Sequence, residues 1–286
     1  MTTAKKDFFL DLLTNERGFH LLFCDLSESE YFSLYHNRFF AEDPIFNHFL
    51  IREDLLESHT QIDHSKVNSI VRSIKSKAQE LKLSTSLFVE NFWERRGQFE
   101  KCAVDVGYRI TDKMEILSKT LTGPSEEPES EPRKSDVGRS DRFGVSYTDD
   151  LESWNSVFVS SYLIPPHWKD ELTRREENIR SPNSAKFILA RDLANNSIPC
   201  GCLVTFSSGR HTENYLGIYC VGTVPEERGK GVAREMLDFA ERNAQKQGQK
   251  VLTLQTLTSD GVAPLYKKIG YKTEFERDIY WSALVS

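Results

Sequence analysis

Apolar and polar positions in the second half of the chain follow an ordered series of strand and helix patterns. Short continuous apolar runs indicate strands, and apolar residues at three- and four-residue spacing indicate amphipathic helices. The predicted strands are 143–147, 186–190, 202–206, 216–221, 251–257 and 278–284, and the predicted helices are 151–158, 171–179, 232–247 and 263–269. Their order is therefore β-αα-βββ-α-β-α-β, which is an α/β arrangement with a mixed sheet.

The stretch 216–248 places a glycine-containing turn between a strand and a helix. Pro225 ends the strand, because it has no N–H to donate to a ladder. Gly229 and Gly231 follow, and the helix begins at Val232. The first N–H groups of a helix lack partners and carry partial positive charge, so they hold anionic groups such as phosphate. The pattern therefore predicts a phosphate site at this turn.

Two common phosphate-binding motifs do not fit the turn. A P-loop needs a glycine where the chain has Val224, and a serine or threonine where it has Gly231. The dinucleotide-binding fingerprint needs a third glycine where the chain has Arg234. The pattern that does fit is Arg228-x-x-Gly231-x-Ala233, which resembles the acyl-CoA pyrophosphate loop of the GNAT superfamily of N-acetyltransferases.

This resemblance extends to the order of elements over residues 143–286. It implies the GNAT fold, acetyl-CoA as the cosubstrate and no metal. Backbone groups of the loop would bind the pyrophosphate, and those of the preceding strand would bind the pantetheine arm and the tetrahedral oxyanion. The implied cofactor-binding residues are Val221, Gly222, Thr223, Val224, Arg228, Gly229, Lys230, Gly231, Val232 and Ala233.

A second segment, residues 263–271, resembles the GNAT motif in which a tyrosine faces the CoA sulfur. The resemblance implies that Tyr266 is the catalytic acid that protonates the leaving thiolate. A free tyrosine has a pKa of about 10, above that of a thiol, so it stays protonated and can donate. The chain departs from the family at Asp260, where an asparagine is usual.

The base that would deprotonate the acceptor is left open by the sequence. An alkylammonium of pKa ~10.4 has no nucleophilic lone pair at neutral pH and must lose a proton first. The candidates are Glu213 at the start of the central strand, Tyr219 within it, and water. Glu226, which follows the strand-ending proline, is the weaker choice.

Four further residues flank these motifs. Lys230 and Arg234 could add positive charge near the phosphates, although exposed basic residues are usually only solvated. His167 and Trp168 lie in the loop between the first two helices, which borders the acceptor site in GNAT enzymes. The implied partner is a small-molecule or peptide amine, and its identity and the acyl chain length stay open.

The first ~120 residues carry their own helix and strand patterns. The predicted elements are a strand over 19–24, a helix beginning at 27–30 and continuing to residue 39, a helix over 67–81, a strand over 85–90, a helix over 94–105 and a strand over 114–117. From residue 67 onward, this order repeats that of 232–284, and Gly107-Tyr108 corresponds to Gly270-Tyr271. The repeat predicts a second, partial GNAT-like domain.

This N-terminal repeat is expected to be degenerate. The segment 59–66 before its long helix has no glycine, and Ala103 stands where the second half has Tyr266. Residues 122–141 are rich in proline, serine and acidic residues and read as a linker. The expected domains are therefore 1–121, without CoA binding, and 142–286, with catalysis.

Composition narrows the class of protein. A net charge of −6 over 286 residues argues against general nucleic-acid binding. No apolar run approaches the ~20 residues that span a bilayer, and the N-terminus lacks a signal-peptide core. Five cysteines without zinc spacing indicate packed thiols in a reducing compartment, so we expect a cytoplasmic protein. The alternative to an N-acetyltransferase is a non-catalytic CoA-binding or protein-interaction module.

Overall fold

A computed structural model describes residues 3–43, 45–52, 63–90, 93, 95–121, 142–178, 185–208 and 214–283. The predicted linker 122–141 and the candidate base Glu213 lie outside these residues. Contacts divide the chain into two compact units. The first unit contains Met1–Gly18 and Lys119–Leu254, and the second contains Phe19–Ser118 and Gln255–Ser286.

The described residues include seven α-helices and eleven strands. The helices are α1 Thr3–His20, α2 His64–Leu81, α3 Arg96–Asp105, α4 Leu151–Tyr162, α5 Lys169–Asn178, α6 Val232–Lys246 and α7 Ala263–Lys268. The strands are β1 Asp25–Glu28, β2 Phe32–His36, β3 His48–Ile51, β4 Thr85–Glu90, β5 Arg109–Thr120, β6 Phe143–Tyr147, β7 Ala185–Asp192, β8 Ile198–Phe206, β9 Tyr215–Thr223, β10 Val251–Leu257 and β11 Lys272–Ser282.

The first unit is a sheet in the order β10-β9-β8-β7-β6, covered by helices on both faces. Its strands are antiparallel except for the parallel pair β9 and β10. On one face, the buried Trp154 of α4 donates its indole N–H to the Leu203 carbonyl of β8 at 3.2 Å. On the other face, Gly201 of β8 lies against Val232 and Met236 of α6.

Helix α6 forms where the sequence predicts it, for the predicted reason. Its buried residues recur at helical spacing and include Val232, Met236 and Ala240. The helix begins after Gly231 and ends shortly before Gly248, and both glycines have positive φ, 96° and 76°. A glycine adopts this conformation at little cost, so the two residues delimit the helix.

The second unit is a sheet in the order β1-β2-β3-β4-β11-β5, covered by α2 and α3. The C-terminal strand β11 is antiparallel to both β4 and β5, and Asp278 lies opposite Val89 and Lys113. Arg96 forms an ion pair with the buried Asp278 at 2.5 Å. The last strand of the chain is therefore embedded among N-terminal strands.

Most predicted elements are confirmed, often with longer bounds. Helices α2 and α3, strand β4 and the whole β-αα-βββ-α-β-α-β series are present, and Asp150 caps α4 by accepting from the Ser153 N–H at 3.0 Å. Strands β5 and β11 begin five and six residues earlier than predicted, at Arg109 and Lys272. The domains 1–121 and 142–286 stay a prediction. Each of the two compact units is made of two separate stretches of the chain, so the units do not test a division into consecutive domains.

Two N-terminal predictions are wrong. The predicted strand over 19–24 is the end of α1 at His20 followed by a turn. The predicted helix from residue 27 is the hairpin β1–β2, in which Leu34 pairs with Ser27. Every residue of β2 is buried, so its side chains show no alternation, and the apolar spacing resembled a helical one.

Membrane-spanning helices and metal-binding clusters are two features that bear on the class of protein. None of the helices in the described ranges is long and apolar enough to cross a membrane. The same part of the chain holds no group of three or more His, Cys, Asp or Glu residues placed to bind a metal ion.

Candidate functional site

Strand β9 has an open edge after its first half. It pairs with β10 from Tyr215 to Ile218, and no pair between these strands is found beyond Ile218 in the described residues. On its other side, the register with β8 shifts between the pairs Cys202–Gly222 and Val204–Tyr219. This shift is a bulge, which bends a strand and re-aims its groups. After Ile218, the β10 side of β9 is therefore free of strand pairing within the described residues.

Cys220 and Gly222 mark the bulge by their conformation and packing. Cys220 has φ of 53°, in the left-handed region that non-glycine residues rarely adopt. A Cβ on Gly222 would lie 2.8 Å from the Cys202 sulfur and 2.8 Å from the Ser161 Cβ, closer than real Cβ atoms approach. Only glycine fits there, so helix α4 can pack directly against the strand.

The end of β9 is tied to helix α4 by two side chains. The Tyr162 hydroxyl donates to the Val221 carbonyl at 3.0 Å. The Arg228 guanidinium donates to the Ser161 carbonyl at 2.7 Å and to the Thr223 carbonyl at 3.3 Å. Arg228 therefore holds the loop in place through backbone contacts.

The loop before α6 presents a row of backbone donors. The first helical hydrogen bond joins the Glu235 N–H to the Gly231 carbonyl at 3.1 Å, and no described carbonyl accepts from the N–H groups of residues 229–234. Gly229 and Gly231 have φ of 75° and 96°, and no atom lies within 4 Å of a Cβ placed on either. We call residues 228–233 the anion loop. Its free N–H groups and the dipole of α6 favour a phosphate.

Acidic residues balance the basic side chains near the anion loop. Lys230 pairs with Glu227 at 2.9 Å, and Glu227 also pairs with Arg142 at 2.8 Å. Arg234 pairs with Asp238 at 3.2 Å. The basic side chains of these pairs are 35% to 49% exposed, so each pair contributes only ~0–1 kcal/mol.

Tyr266 lies on α7, in the second unit, and has the properties of a proton donor. It is 7% exposed, and burial together with the nearby Asp260 raises its pKa to about 12. Its ring packs edge-on against Tyr271 at 6.1 Å. No described residue forms a hydrogen bond with its hydroxyl. The phenol is therefore neutral at physiological pH and available to a ligand.

The chain matches the profile of the Acetyltransferase (GNAT) family over residues 149–271. This range contains the open edge of β9, the anion loop and Tyr266. Residues 149–271 form a GNAT domain. No curated protein matches the chain significantly in sequence.

Solved structures extend the GNAT fold to both halves of the chain. A GCN5-related N-acetyltransferase from Kribbella flavida is 13% identical, with TM-score 0.61 and coverage of 95% of this chain and 94% of that one. A GCN5-related N-acetyltransferase from Sphaerobacter thermophilus is 12% identical, with TM-score 0.62 and coverage of 91% and 83%. A tandem GNAT protein from the clavulanic acid biosynthesis pathway is 11% identical, with TM-score 0.56 and coverage of 91% and 82%. At these identities the likeness concerns the fold, and the N-terminal half is GNAT-like in structure.

The sequence-predicted base candidates of the GNAT domain have different surroundings. Tyr219 is partly buried, and its ring packs edge-on against Phe206 at 6.5 Å. Glu226 is exposed on the short turn after β9. His167 and Trp168 form a partly exposed turn before α5, with their rings edge-on at 6.2 Å. None of these contacts prepares a carboxylate or imidazole for proton transfer.

Sequence reasoning missed an acidic residue of the GNAT domain, Glu176 on α5. It is 2% exposed and accepts a hydrogen bond from Asn155 of α4 at 2.6 Å. Glu176 follows the buried Leu172 by four residues, so it lies on the inward face of the helix. That spacing is the sequence signal for a buried Glu176, and it is hard to recognise among the many charged residues of α5.

Proposed function

We propose that this protein is an N-acetyltransferase that transfers the acetyl group of acetyl-CoA to a primary amine by direct attack in a ternary complex. The observation that carries the proposal is the continuity of two features in one GNAT domain. The open edge of β9 leads directly into the anion loop, so one extended ligand with amides at one end and a diphosphate at the other fits both. Acetyl-CoA has this chemistry.

Each part of β9 and the loop has a task in this proposal. The N–H groups of the anion loop bind the pyrophosphate, as helix N-termini bind phosphate generally. Backbone groups of Val221 to Val224 pair with the amides of the pantetheine arm. A backbone N–H of the same strand stabilises the oxyanion that forms when the amine attacks the thioester carbonyl.

Tyr266 is proposed as the acid that protonates the leaving thiolate. Its hydroxyl stays protonated because its pKa is raised to about 12. A positioned acid typically contributes ~10²–10⁴-fold to a rate. The acceptor is a small-molecule or peptide amine.

Thiol release measured with acetyl-CoA and a panel of amines tests the proposal. The panel contains alkylamines, amino sugars, amino acids and lysine peptides, and a tertiary amine is the control because it cannot form a neutral amide. We expect thiol release with at least one primary amine, matched by the acetylated product in mass spectrometry. Binding of acetyl-CoA without release by any amine would instead identify a non-catalytic CoA-binding module.

A further inference from the structure

Glu176 is a buried carboxylate with an incomplete set of hydrogen bonds. Its Oε2 accepts from the Asn155 amide at 2.6 Å, and the same amide donates to the Thr173 hydroxyl at 2.9 Å. The other carboxylate oxygen, Oε1, has no hydrogen-bond partner among the described residues, and neither has the Asn155 Oδ1. Two buried acceptor atoms are thus left for a ligand that supplies N–H or O–H groups.

This carboxylate is bonded to the helix that packs against the bulge of β9. Asn155, which holds it, lies on α4, and Ser161 of the same helix lies against Gly222. Burial raises the pKa of the thiols of Cys202 and Cys220, which belong to the two strands at the bulge, and the charge of Glu176 raises it further. The Cys202 thiol in turn donates to the Cys220 carbonyl at 3.6 Å and lies against Gly222. Glu176 is therefore connected through one helix to the bulge of β9, and all of these residues belong to one unit.

No positive charge of the described residues neutralises Glu176. The basic residues of its own helix have acidic partners of their own: Lys169 pairs with Glu152, and Arg174 and Arg175 pair with Glu171. The titratable groups that face Glu176 from the strands are the thiols of Cys202 and Cys220, which their raised pKa keeps neutral. Burial raises the pKa of Glu176 to about 8, and the Asn155 hydrogen bond only partly offsets this.

A buried carboxylate in this state favours one class of ligand. An ionised carboxylate without a cation is costly in a protein interior, so it takes up a proton or a positively charged partner. An alkylammonium group has three N–H donors and no acceptor, which suits two acceptor oxygens. A phosphate or a carboxylate would be repelled from the same atoms.

We infer that Glu176 and Asn155 form the subsite for the ammonium group of the acceptor, and that the Glu176 carboxylate removes its proton before attack. This inference rests on the proposed acetyltransferase function and narrows the acceptor to alkylamines that are protonated at neutral pH. Helix α5, and not the central strand, then supplies the base.

The proton and bond balance of the step is complete. One N–H proton passes from the ammonium to Glu176 Oε1, and the nitrogen lone pair forms a C–N bond to the thioester carbonyl carbon. The C–S bond then breaks, and its electron pair leaves with sulfur. A second nitrogen proton is lost from the adduct, and the thiolate takes up a proton to become the thiol. The proton on Glu176 returns to solvent, so the products are an amide, a thiol and one H⁺.

The test compares Glu176→Gln with Glu177→Gln in the full chain. Glutamine keeps the shape and the Asn155 contact but cannot take a proton, and Glu177 is the exposed neighbour on the same helix. We expect kcat/KM for alkylamines to fall ~10²–10⁴-fold in Glu176→Gln only, and the rise of activity near pH 8 to disappear. Equal kcat/KM and equal pH profiles in the two variants would overturn the inference.

Infrared difference spectroscopy of the wild-type protein makes the test independent of turnover. At pH 7, we expect a protonated carboxyl band, identified by its absence in Glu176→Gln, that disappears when n-butylammonium is added. Persistence of that band at saturating n-butylammonium would overturn the subsite. Loss of the band without thiol release by any amine would leave the subsite standing and refute the proposed acetyltransferase function.

Discussion

The Arg228 guanidinium donates a 2.7 Å hydrogen bond to the Ser161 carbonyl, which joins the anion loop to the end of helix α4. A second bond from the same guanidinium reaches the Thr223 carbonyl at the end of β9. One side chain thus joins the loop and the end of β9 to a helix end that lies more than sixty residues earlier in the sequence. The position of the loop depends on these bonds, since the exposed glycines beside it provide no packing.

Replacing Arg228 by lysine is expected to weaken acetyl-CoA binding more than catalysis. A lysine supplies a point charge but cannot donate to both carbonyls in the planar geometry of arginine. We expect KM for acetyl-CoA to rise about tenfold, which corresponds to ~1.4 kcal/mol, with kcat little changed. Steady-state kinetics check this. Arg234→Lys is the control, because the Arg234 guanidinium pairs with Asp238 one turn further along the same helix.

Gly231→Ala is expected to reduce acetyl-CoA affinity, whereas Gly248→Ala is not. Both glycines have positive φ and open space around a Cβ, and they flank the same helix. The left-handed conformation costs an alanine ~1–2 kcal/mol at either position, so both variants lose similar stability. Only the methyl at 231 projects into the anion loop. Isothermal titration with acetyl-CoA distinguishes them, and an equal loss of affinity in both would mean that the loop is not the phosphate site.

Tyr266→Phe is expected to lower kcat ~10²–10⁴-fold with little change in the affinity for acetyl-CoA. The phenylalanine keeps the packing against Tyr271 but removes the donor. Tyr108→Phe is the control, because Tyr108 is a buried tyrosine of the same unit that lies outside the GNAT domain and bonds Thr85 at 2.8 Å. Its loss should cost ~1 kcal/mol of stability without changing kcat. Thiol release that is slowed in Tyr266→Phe while acetyl-CoA still binds would support the role of Tyr266 as the acid. An unchanged kcat in this variant would contradict that role.

The sequence predicted the elements whose patterns are local. Helix α6 and its anion loop follow from the spacing of Val232, Met236 and Ala240 and from two glycines, all within one continuous segment. The identity of Tyr266 as a candidate followed from a segment of nine residues. Candidate functional residues that lie in short continuous segments can therefore be predicted from the sequence alone.

The features that the sequence does not predict depend on contacts between residues that are far apart in the chain. Strand β11 lies between β4 and β5, and the pairing of Asp278 with Val89 joins residues from opposite halves of the chain. Glu176 looked like one of many charges on α5, and its burial arises only when Asn155 of α4 packs over it. Strand β2 has a helix-like apolar spacing because both of its faces are covered. Burial of this kind is a tertiary property, which a local pattern does not encode.

The free energy of unfolding of Glu176→Gln is expected to exceed that of the wild type increasingly as the pH rises. The folded pKa of Glu176, about 8, lies above the unfolded value of ~4.3. The folded state therefore binds more protons than the unfolded state between these values, and wild-type stability falls there by up to ~1.4 kcal/mol per pH unit. Glutamine does not titrate, so the variants should coincide at pH 4 and diverge toward pH 8. Urea titrations across this range measure the effect, and Glu177→Gln should follow the wild type.

The central claim is that the open edge of β9 and the anion loop bind acetyl-CoA for transfer to an amine. The most direct measurement follows acetyl-CoA labelled with ¹³C in the acetyl group, in the presence of an alkylamine and the wild-type protein. We predict a labelled amide formed in a one-to-one ratio with free thiol, and its loss in Gly231→Ala but not in Gly248→Ala at limiting acetyl-CoA. Label that stays on CoA, or that appears only as free acetate with every amine tested, would contradict the account.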